Sequence, residues 1–415
     1  MACYNACEFI NSFYTVKVAR IKCELFFRFL LSSRHLRYMK KFLTLIILLL
    51  GCQSAFSQTH LLPKFIRKMY FDKDTTKKSS FVILPVLSSA PETGVEAGGA
   101  GLYSFYTDTV SRNTRVSNIF AYATLTTKGQ NRLSLSTSYW TPQNKYHFTA
   151  GIGYINFPFD FYGIGNNTLK ANTDRIGQKR LKLSLAAEKK VADNFYVGLV
   201  AGGDRYTFSD GQPNSIFYTD PRVQFRKGGT SVYVGPSLIF DSRNNNTYTT
   251  RGALITTSLQ LTKGLSDFDY KGGFFNIEYS QFFSLSKKLV LGIDIQDQSL
   301  IGGQSPFFLM PTLGNDEIMR GYYNGRYRDR NLTVGQTELR YRLTERIGVV
   351  GFIGTGEVFN KDFSFSDLKP NYGGGLRYFF DIEKGLSIRA DYGIGQKIAG
   401  EKRQSGFYVG LGQAF

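Results

Sequence analysis

From about Ser80 to Phe415 the chain repeats one theme: eight to twelve residues in which apolar side chains alternate with polar ones or glycine, then a turn rich in Gly, Asn, Asp or Ser. Alternation with a period of two marks a β-strand, because successive side chains point to opposite faces of a sheet. Leu386, Ile388, Ala390, Tyr392 and Ile394 form one greasy face, while Ser387, Arg389, Asp391, Gly393 and Gly395 form the other. Phe195, Val197, Leu199 and Ala201 oppose Tyr196, Gly198 and Gly202 in the same way, and Leu339, Tyr341 and Leu343 oppose Glu338, Arg340 and Arg342. Sixteen such segments begin near residues 80, 96, 115, 131, 145, 176, 194, 229, 251, 270, 288, 331, 346, 372, 385 and 406. The pattern predicts an all-β chain of antiparallel hairpins with an even number of strands.

Alternation also suits a large secreted antiparallel protein, whose sheets would pack one face in a core. The polar face separates the two architectures. Glu338, Arg340, Arg342, Arg377, Arg389 and Asp391 are costly in a sandwich core and at home in a water-filled lumen. Closure also pairs every strand edge in a solvent that cannot satisfy an open one. The expected fold is therefore a transmembrane antiparallel β-barrel of sixteen strands over residues 80–415. Tyr154, Phe157, Phe159, Phe161 and Tyr162, with Tyr206 and Phe208, cluster near strand ends, where aromatic rings would lie at headgroup level.

The only long apolar run, Phe42 to Leu50, is about half of what a spanning helix needs. It stands between Lys40-Lys41 and Ala55-Phe56-Ser57, the order of regions in a secretory signal, so 39–57 reads as a signal peptide and Gln58 as the first mature residue. Residues 1–38 lack periodicity and read as an upstream extension from a mis-assigned start. Leu49-Leu50-Gly51-Cys52 offers the alternative of lipidation at Cys52. All four cysteines precede Gln58, which suits passage through an oxidising periplasm. Residues 58–79 form a short periplasmic segment ahead of the first strand.

The whole chain carries a formal charge of +19, and residues 58–415 keep 43 basic against 30 acidic side chains, or +13. The basic residues are spread through strands and loops without a nucleic-acid motif, so anionic outer-leaflet lipid is the expected partner and nucleic acid is not. Enzymatic chemistry lacks a basis: His60 and His147 are the only histidines after residue 57, neither lies in a recognisable motif, and no His or Cys spacing suggests a metal or cofactor. An outer-membrane hydrolase is the least favoured reading, and a passive porin-like or structural surface barrel is the main alternative to the one below.

Between the eleventh and twelfth strands runs a long loop, Gly302 to Arg330, that includes Pro311-Thr312-Leu313-Gly314-Asn315-Asp316-Glu317-Ile318-Met319-Arg320-Gly321-Tyr322. Hairpin loops are usually a few residues, so one this long is a candidate functional element. Arg320-Gly321-Tyr322 resembles the Arg-Gly-aromatic tripeptide of the BamA/TamA family of outer-membrane insertases and translocators, at the same place in the strand order. Glu338-Leu339-Arg340-Tyr341-Arg342, Phe161-Tyr162-Gly163-Ile164-Gly165-Asn166, Asp241-Ser242-Arg243-Asn244-Asn245 with Gly252, and Gly373-Gly374-Gly375-Leu376-Arg377 extend the similarity over nearly the whole barrel.

The resemblance implies a long extracellular loop folded into the lumen, with Arg320 paired to an acid on the inner wall. Glu338 is the expected partner, and a guanidinium fork suits a carboxylate. An aspartate often stands where this chain has Gly354, which leaves Arg320 one acid short. The resemblance further implies a non-enzymatic barrel that assists insertion or translocation of protein or lipid through a weak seam between the first and last strands. Its partners would be client outer-membrane or surface proteins and periplasmic or lipoprotein factors. Residues 58–79 are too few for one of the periplasmic POTRA domains that the family carries. Pro85 lacks a ladder donor, and Gly410 and Gly412 bring no side chains to pack, so both sides of such a seam are weakened. The final strand, with Phe407, Val409, Leu411 and the terminal aromatic Phe415, resembles the targeting strand of outer-membrane barrels.

Overall fold

A computed structural model describes residues 79–415 apart from 91, 109–113, 210 and 267. The expected extension, signal peptide, lipidation site and short periplasmic segment lie outside the described residues, save Ser79. The strands are β1 (Ser80–Ala90), β2 (Gly94–Phe105), β3 (Ser117–Thr126), β4 (Asn131–Trp140), β5 (Tyr146–Asn156), β6 (Phe159–Phe161) and β7 (Asp174–Ala192). They continue as β8 (Phe195–Ser209), β9 (Gly228–Asp241), β10 (Gly252–Leu265), β11 (Lys271–Ser284), β12 (Leu289–Ile301), β13 (Thr312–Leu313) and β14 (Tyr327–Arg328). The last five are β15 (Asn331–Arg342), β16 (Ile347–Phe359), β17 (Lys369–Asp381), β18 (Leu386–Ile394) and β19 (Ser405–Leu411).

Sixteen of these are long, and each begins within three residues of its expected start. They pair antiparallel in chain order and the sheet closes from β19 back to β1. β6 adds a short pairing to the end of β7, while β13 and β14 make a small separate hairpin inside the long loop. A region of the β9–β10 ladder skips from Ser258↔Ser237 to Leu261↔Val234 around Gly235-Pro236. That is the local consequence of a proline with no N–H to donate.

The direction of the two faces decides the architecture. Leu339 and Tyr341 are 45% and 40% exposed, whereas their neighbours Glu338 and Arg340 are 0% and 2% exposed. Leu133, Leu135, Ile152, Leu183, Leu199 and Val234 likewise point outward. Greasy side chains face out and charged ones face in, the reverse of a water-soluble sandwich and the arrangement a bilayer selects. The wall closes unevenly. β1 is zipped to β2 from Ser80↔Ser104 to Ala90↔Gly94, and β19 to β18 from Ile388↔Leu411 to Ile394↔Ser405. Between β1 and β19 there is one register pair, Ser89↔Phe407.

Several expected details change. Phe159, Phe161, Tyr162 and Tyr206 are buried rather than set at a membrane interface. With Phe217, Phe268, Tyr270, Phe307 and Phe308, all but Tyr162 form an apolar cluster at the end of the barrel opposite Ser80 and Leu411. Removing that much aromatic surface from water outweighs any interfacial preference of single rings. The last strand ends at Leu411, so Gly412 and Phe415 are not strand residues. Gly412 takes a φ of +74° and its N–H donates to the Ser387 carbonyl at 2.7 Å, which turns the chain inward. Phe415 then packs against Phe282, with the Arg340 guanidinium 4.9 Å from its ring centre. Gly410 stays in the strand, and a Cβ there would lie 2.8 Å from Nε of Arg389, so its small size makes room for a lumenal arginine.

Candidate functional site

The loop from Gly302 to Arg330 folds back against the inner wall, and its own apolar side chains hold it there. Leu313, Met319, Tyr322 and Tyr327 are fully buried and pack with Leu332 and Val334 of β15 and Val358 of β16. At the bottom of the fold lies Arg320, with 0% exposure. Its Nη2 donates to Oε1 of Glu338 and its Nη1 to Oδ2 of Asp391, each at 2.6 Å. The guanidinium carbon lies 3.6 Å from the ring centre of Phe352. Such a position supplies two charge-assisted bonds and a cation–π contact in a place that excludes water.

Two further arginines complete the charge balance around the carboxylates. Nε of Arg340 donates to Oε2 of Glu338 at 2.8 Å, and Nη1 of Arg377 to Oδ1 of Asp391 at 2.5 Å. Each acid therefore bonds two guanidinium groups, one from the loop and one from the wall. The lumen here is not the water-filled channel that the charges suggested: Arg340, Arg377 and Arg389 are each 2% exposed, because the loop and the 412–415 turn occupy the space. Arg389 donates to Oδ2 of Asp316 in the loop at 2.6 Å.

Gly321 has a φ of +103°, a conformation that side-chain-bearing residues rarely adopt, and its N–H donates to the Tyr408 hydroxyl at 3.0 Å. A Cβ on Gly321 would lie 2.8 Å from backbone atoms of Gly393 and Ile394. The Tyr322 hydroxyl donates to the Pro370 carbonyl at 2.5 Å and accepts from the Gln396 N–H at 2.9 Å. The tripeptide thus touches β15, β16, β17, β18 and β19 together. It reaches the strand that bears the weakly paired edge.

The structure brings Arg320, Gly321, Tyr322 and Glu338 into one site. Asp391 is the partner that sequence reasoning missed, although its place on the polar face of β18 was visible. The apparent loss of an acid at Gly354 is made good by it. A Cβ at Gly354 would lie 2.6 Å from Oδ1 of Asn371, whose Nδ2 donates to the Arg320 carbonyl at 2.9 Å, so that position carries a neutral backbone clamp instead. Gly375 leaves the space that the Asp391 carboxylate fills. Pro85 lies in β1 opposite Gly99 of β2, away from this cluster. Phe407, Val409 and Leu411 alternate with the inward Tyr408, and Phe407 is 42% exposed.

Of the other quoted segments, Phe161 to Asn166 docks on the loop. Tyr162 packs edge-on against Tyr323, and the Gly165 N–H donates to the Arg328 carbonyl at 2.7 Å. Asp241 bonds both Arg243 and Arg115 at the opposite end of the barrel. His147 is stacked on Trp140 at 3.9 Å, with Ser138 3.0 Å from Nε2 and Glu188 3.1 Å from Nδ1, a contact set that ties β4, β5 and β7 together. No group of three or more His, Cys, Asp or Glu arranged to hold a metal occurs among the described residues.

The family model of the Omp85 superfamily domain matches residues 119–415. Among solved structures, BamA from Haemophilus ducreyi lacking POTRA domains 1–3 superposes with a TM-score of 0.52 at 13% identity, over 81% of this chain and 70% of that one. CdiB from Acinetobacter baumannii gives a TM-score of 0.52 at 12% identity, over 80% of this chain and 60% of that one. At such identities the likeness establishes the fold. No curated protein sequence matches the chain.

Proposed function

Because the chain belongs to the Omp85 superfamily, we propose that it is a bacterial outer-membrane barrel that assists the insertion or translocation of protein or lipid by parting the edge between β1 and β19. Members of the superfamily are transporters and insertases rather than enzymes. The observation that carries the reading is the single register pair Ser89↔Phe407, set against eleven pairs between β1 and β2 and seven between β18 and β19. A strand edge with most of its N–H and C=O groups unpaired toward its neighbour is a template for another strand, and in lipid it is costly to leave open. A client strand would satisfy those groups by adding to the edge.

The loop anchor supports the same reading. Through Gly321 and Tyr408 the tripeptide holds the last strand from inside, while Arg320 holds the wall behind it. A barrel that opens on one side needs the rest of its wall kept rigid. Client outer-membrane or surface proteins, bilayer lipid and periplasmic or lipoprotein factors are the partners this mechanism requires, and the basic chain favours anionic lipid.

A disulfide lock tests the seam. No cysteine follows Cys52, so Ser89→Cys with Phe407→Cys creates an isolated pair at the one position where the strands are in register. Cells depleted of the native protein and supplied with the double variant should lose particular outer-membrane proteins or lipids when the pair is oxidised and regain them on reduction. Full activity of the oxidised barrel would sink the seam mechanism. A large, steady conductance unaffected by the lock would favour the passive pore instead.

A further inference from the structure

Arg328 is a further buried arginine of the loop, 7% exposed, and it is placed unlike Arg320 and unlike Arg326, which pairs with Glu401. Among the described residues its hydrogen bonds go to backbone carbonyls, those of Gly325 at 3.3 Å and Phe307 at 3.4 Å. The rings of Phe159, Phe161 and Phe307 surround it at 5.4 to 5.7 Å. Among the described residues no carboxylate lies within 4 Å of it. Burial works against the charge and pushes the guanidinium down to about 10. A charge held in such a place without a counter-charge is costly, so the fold is less stable for keeping it there unless something else neutralises it.

The side chain opens onto a cavity of about 450 Å³ between the loop and the inner wall of β4, β5, β7, β8, β11 and β12. That volume is in the range of small-molecule sites. Three arginines line it, Arg132, Arg180 and Arg328, and no Asp or Glu does. Among the described residues, Arg180 of the three is paired with an acid, Asp204 at 2.7 Å. Arg132 lies over the Phe157 ring at 4.5 Å, with no carboxylate within 4 Å among the described residues. Glu92, in the turn after β1, exerts a field on Arg132, but burial raises its carboxyl to about 7. The cavity therefore presents two guanidinium groups that have no carboxylate within 4 Å among the described residues. The rest of its wall combines the apolar Phe159, Phe274, Phe308, Leu309 and Met310 with the polar Gln178, Gln298, Thr312 and Asn324.

We propose that this cavity is a binding site for a phosphate group carried on an apolar body, with Arg132 and Arg328 taking the oxyanion and the phenylalanine wall taking the rest. A dianionic phosphate matches the two open charges, and a planar guanidinium presents paired donors to it. The ligand could come from the bilayer as a phosphomonoester lipid or from solution as a soluble phosphoester. The chemistry recognised is the same.

The test uses the folded protein in phosphatidylcholine nanodiscs, titrated with phenyl phosphate and followed by calorimetry and phosphorus NMR. Saturable binding is expected, with Arg132→Gln and Arg328→Met each weakening it tenfold or more, and benzyl alcohol failing to compete. Arg132 lies on the strand wall, so its variant leaves the loop in place and keeps the test decisive if Arg328→Met perturbs folding. Phosphatidic acid added to the disc should displace phenyl phosphate if the natural source is the bilayer. Binding of phenyl phosphate undisturbed by that lipid would point to the soluble source. Absence of binding by both probes, or equal affinity in the wild type and in Arg132→Gln, would overturn the proposal.

Discussion

Arg320 and Arg328 stand eight positions apart on one loop, both buried, and their surroundings are opposite. Arg320 meets two carboxylates, each shared with a wall arginine, and a phenylalanine face. Arg328 meets carbonyls and rings, and opens onto a cavity that holds a further unpaired arginine. Burial by itself says little about what an arginine does. The counter-charge separates a part that holds the loop from a part that awaits something.

The sharpest way to break the comparison is Arg320→Ala. It leaves Glu338 and Asp391 each short of a partner, which should weaken docking of the loop by about 3–5 kcal/mol, the usual cost of breaking a buried pair. The barrel is expected to insert, with the loop open to protease and the activity lowered. A loop that stays resistant in a barrel that stays active would contradict the anchor.

Gly321→Ala should come next, at about 2–3 kcal/mol, since it adds strain at a positive φ and a clash with the Gly393–Ile394 backbone. Urea midpoints of the folded barrel report it, and a shift indistinguishable from zero would mean that the close approach is not needed. Arg328→Met should carry the opposite sign. Replacing an uncompensated charge by an apolar side chain of similar reach should raise stability by about 1–2 kcal/mol without phosphate present. A loss as large as that of Arg320→Ala would erase the distinction between the two arginines.

The pH dependence set by Glu92 probes the surroundings of Arg132 from another side. Its carboxyl is raised from 4.5 to about 7 by burial, the largest influence on it. Between those values the folded protein binds more protons than the unfolded chain, so stability falls as pH rises through that window and is greatest on its acid side. Glu92→Gln should flatten this slope, by roughly 3 kcal/mol across the window, since each unit of displacement is worth about 1.4 kcal/mol. An unchanged slope in thermal unfolding from pH 5 to pH 8 would show that Glu92 is ionised throughout and does act as the counter-charge of Arg132.

Much of this was legible before the structure. Strand number, strand starts and the two faces follow from alternation, because the pleat imposes it residue by residue. The loop was visible as an interruption of that rhythm, and Glu338 as the acid on a polar face near it. The aromatic cluster was misplaced, since Phe159 and Phe161 carry the same composition whether they meet lipid or one another. Phe415 was misplaced as well. A single positive φ at Gly412 turns the chain off the strand, and no periodicity announces it.

The chain's own order of residues determined that it folds as sixteen alternating strands, greasy on one face and charged on the other, with one long loop carrying Arg320. Closure of the barrel decided the rest: that Asp391, 71 positions along the chain, meets Arg320, that among the described residues Arg328 has no acid within 4 Å, and that β1 and β19 share one register pair. Alternation acts between neighbours and leaves its mark locally. Ion pairing and edge pairing join residues whose distance apart exists only once the cylinder has formed.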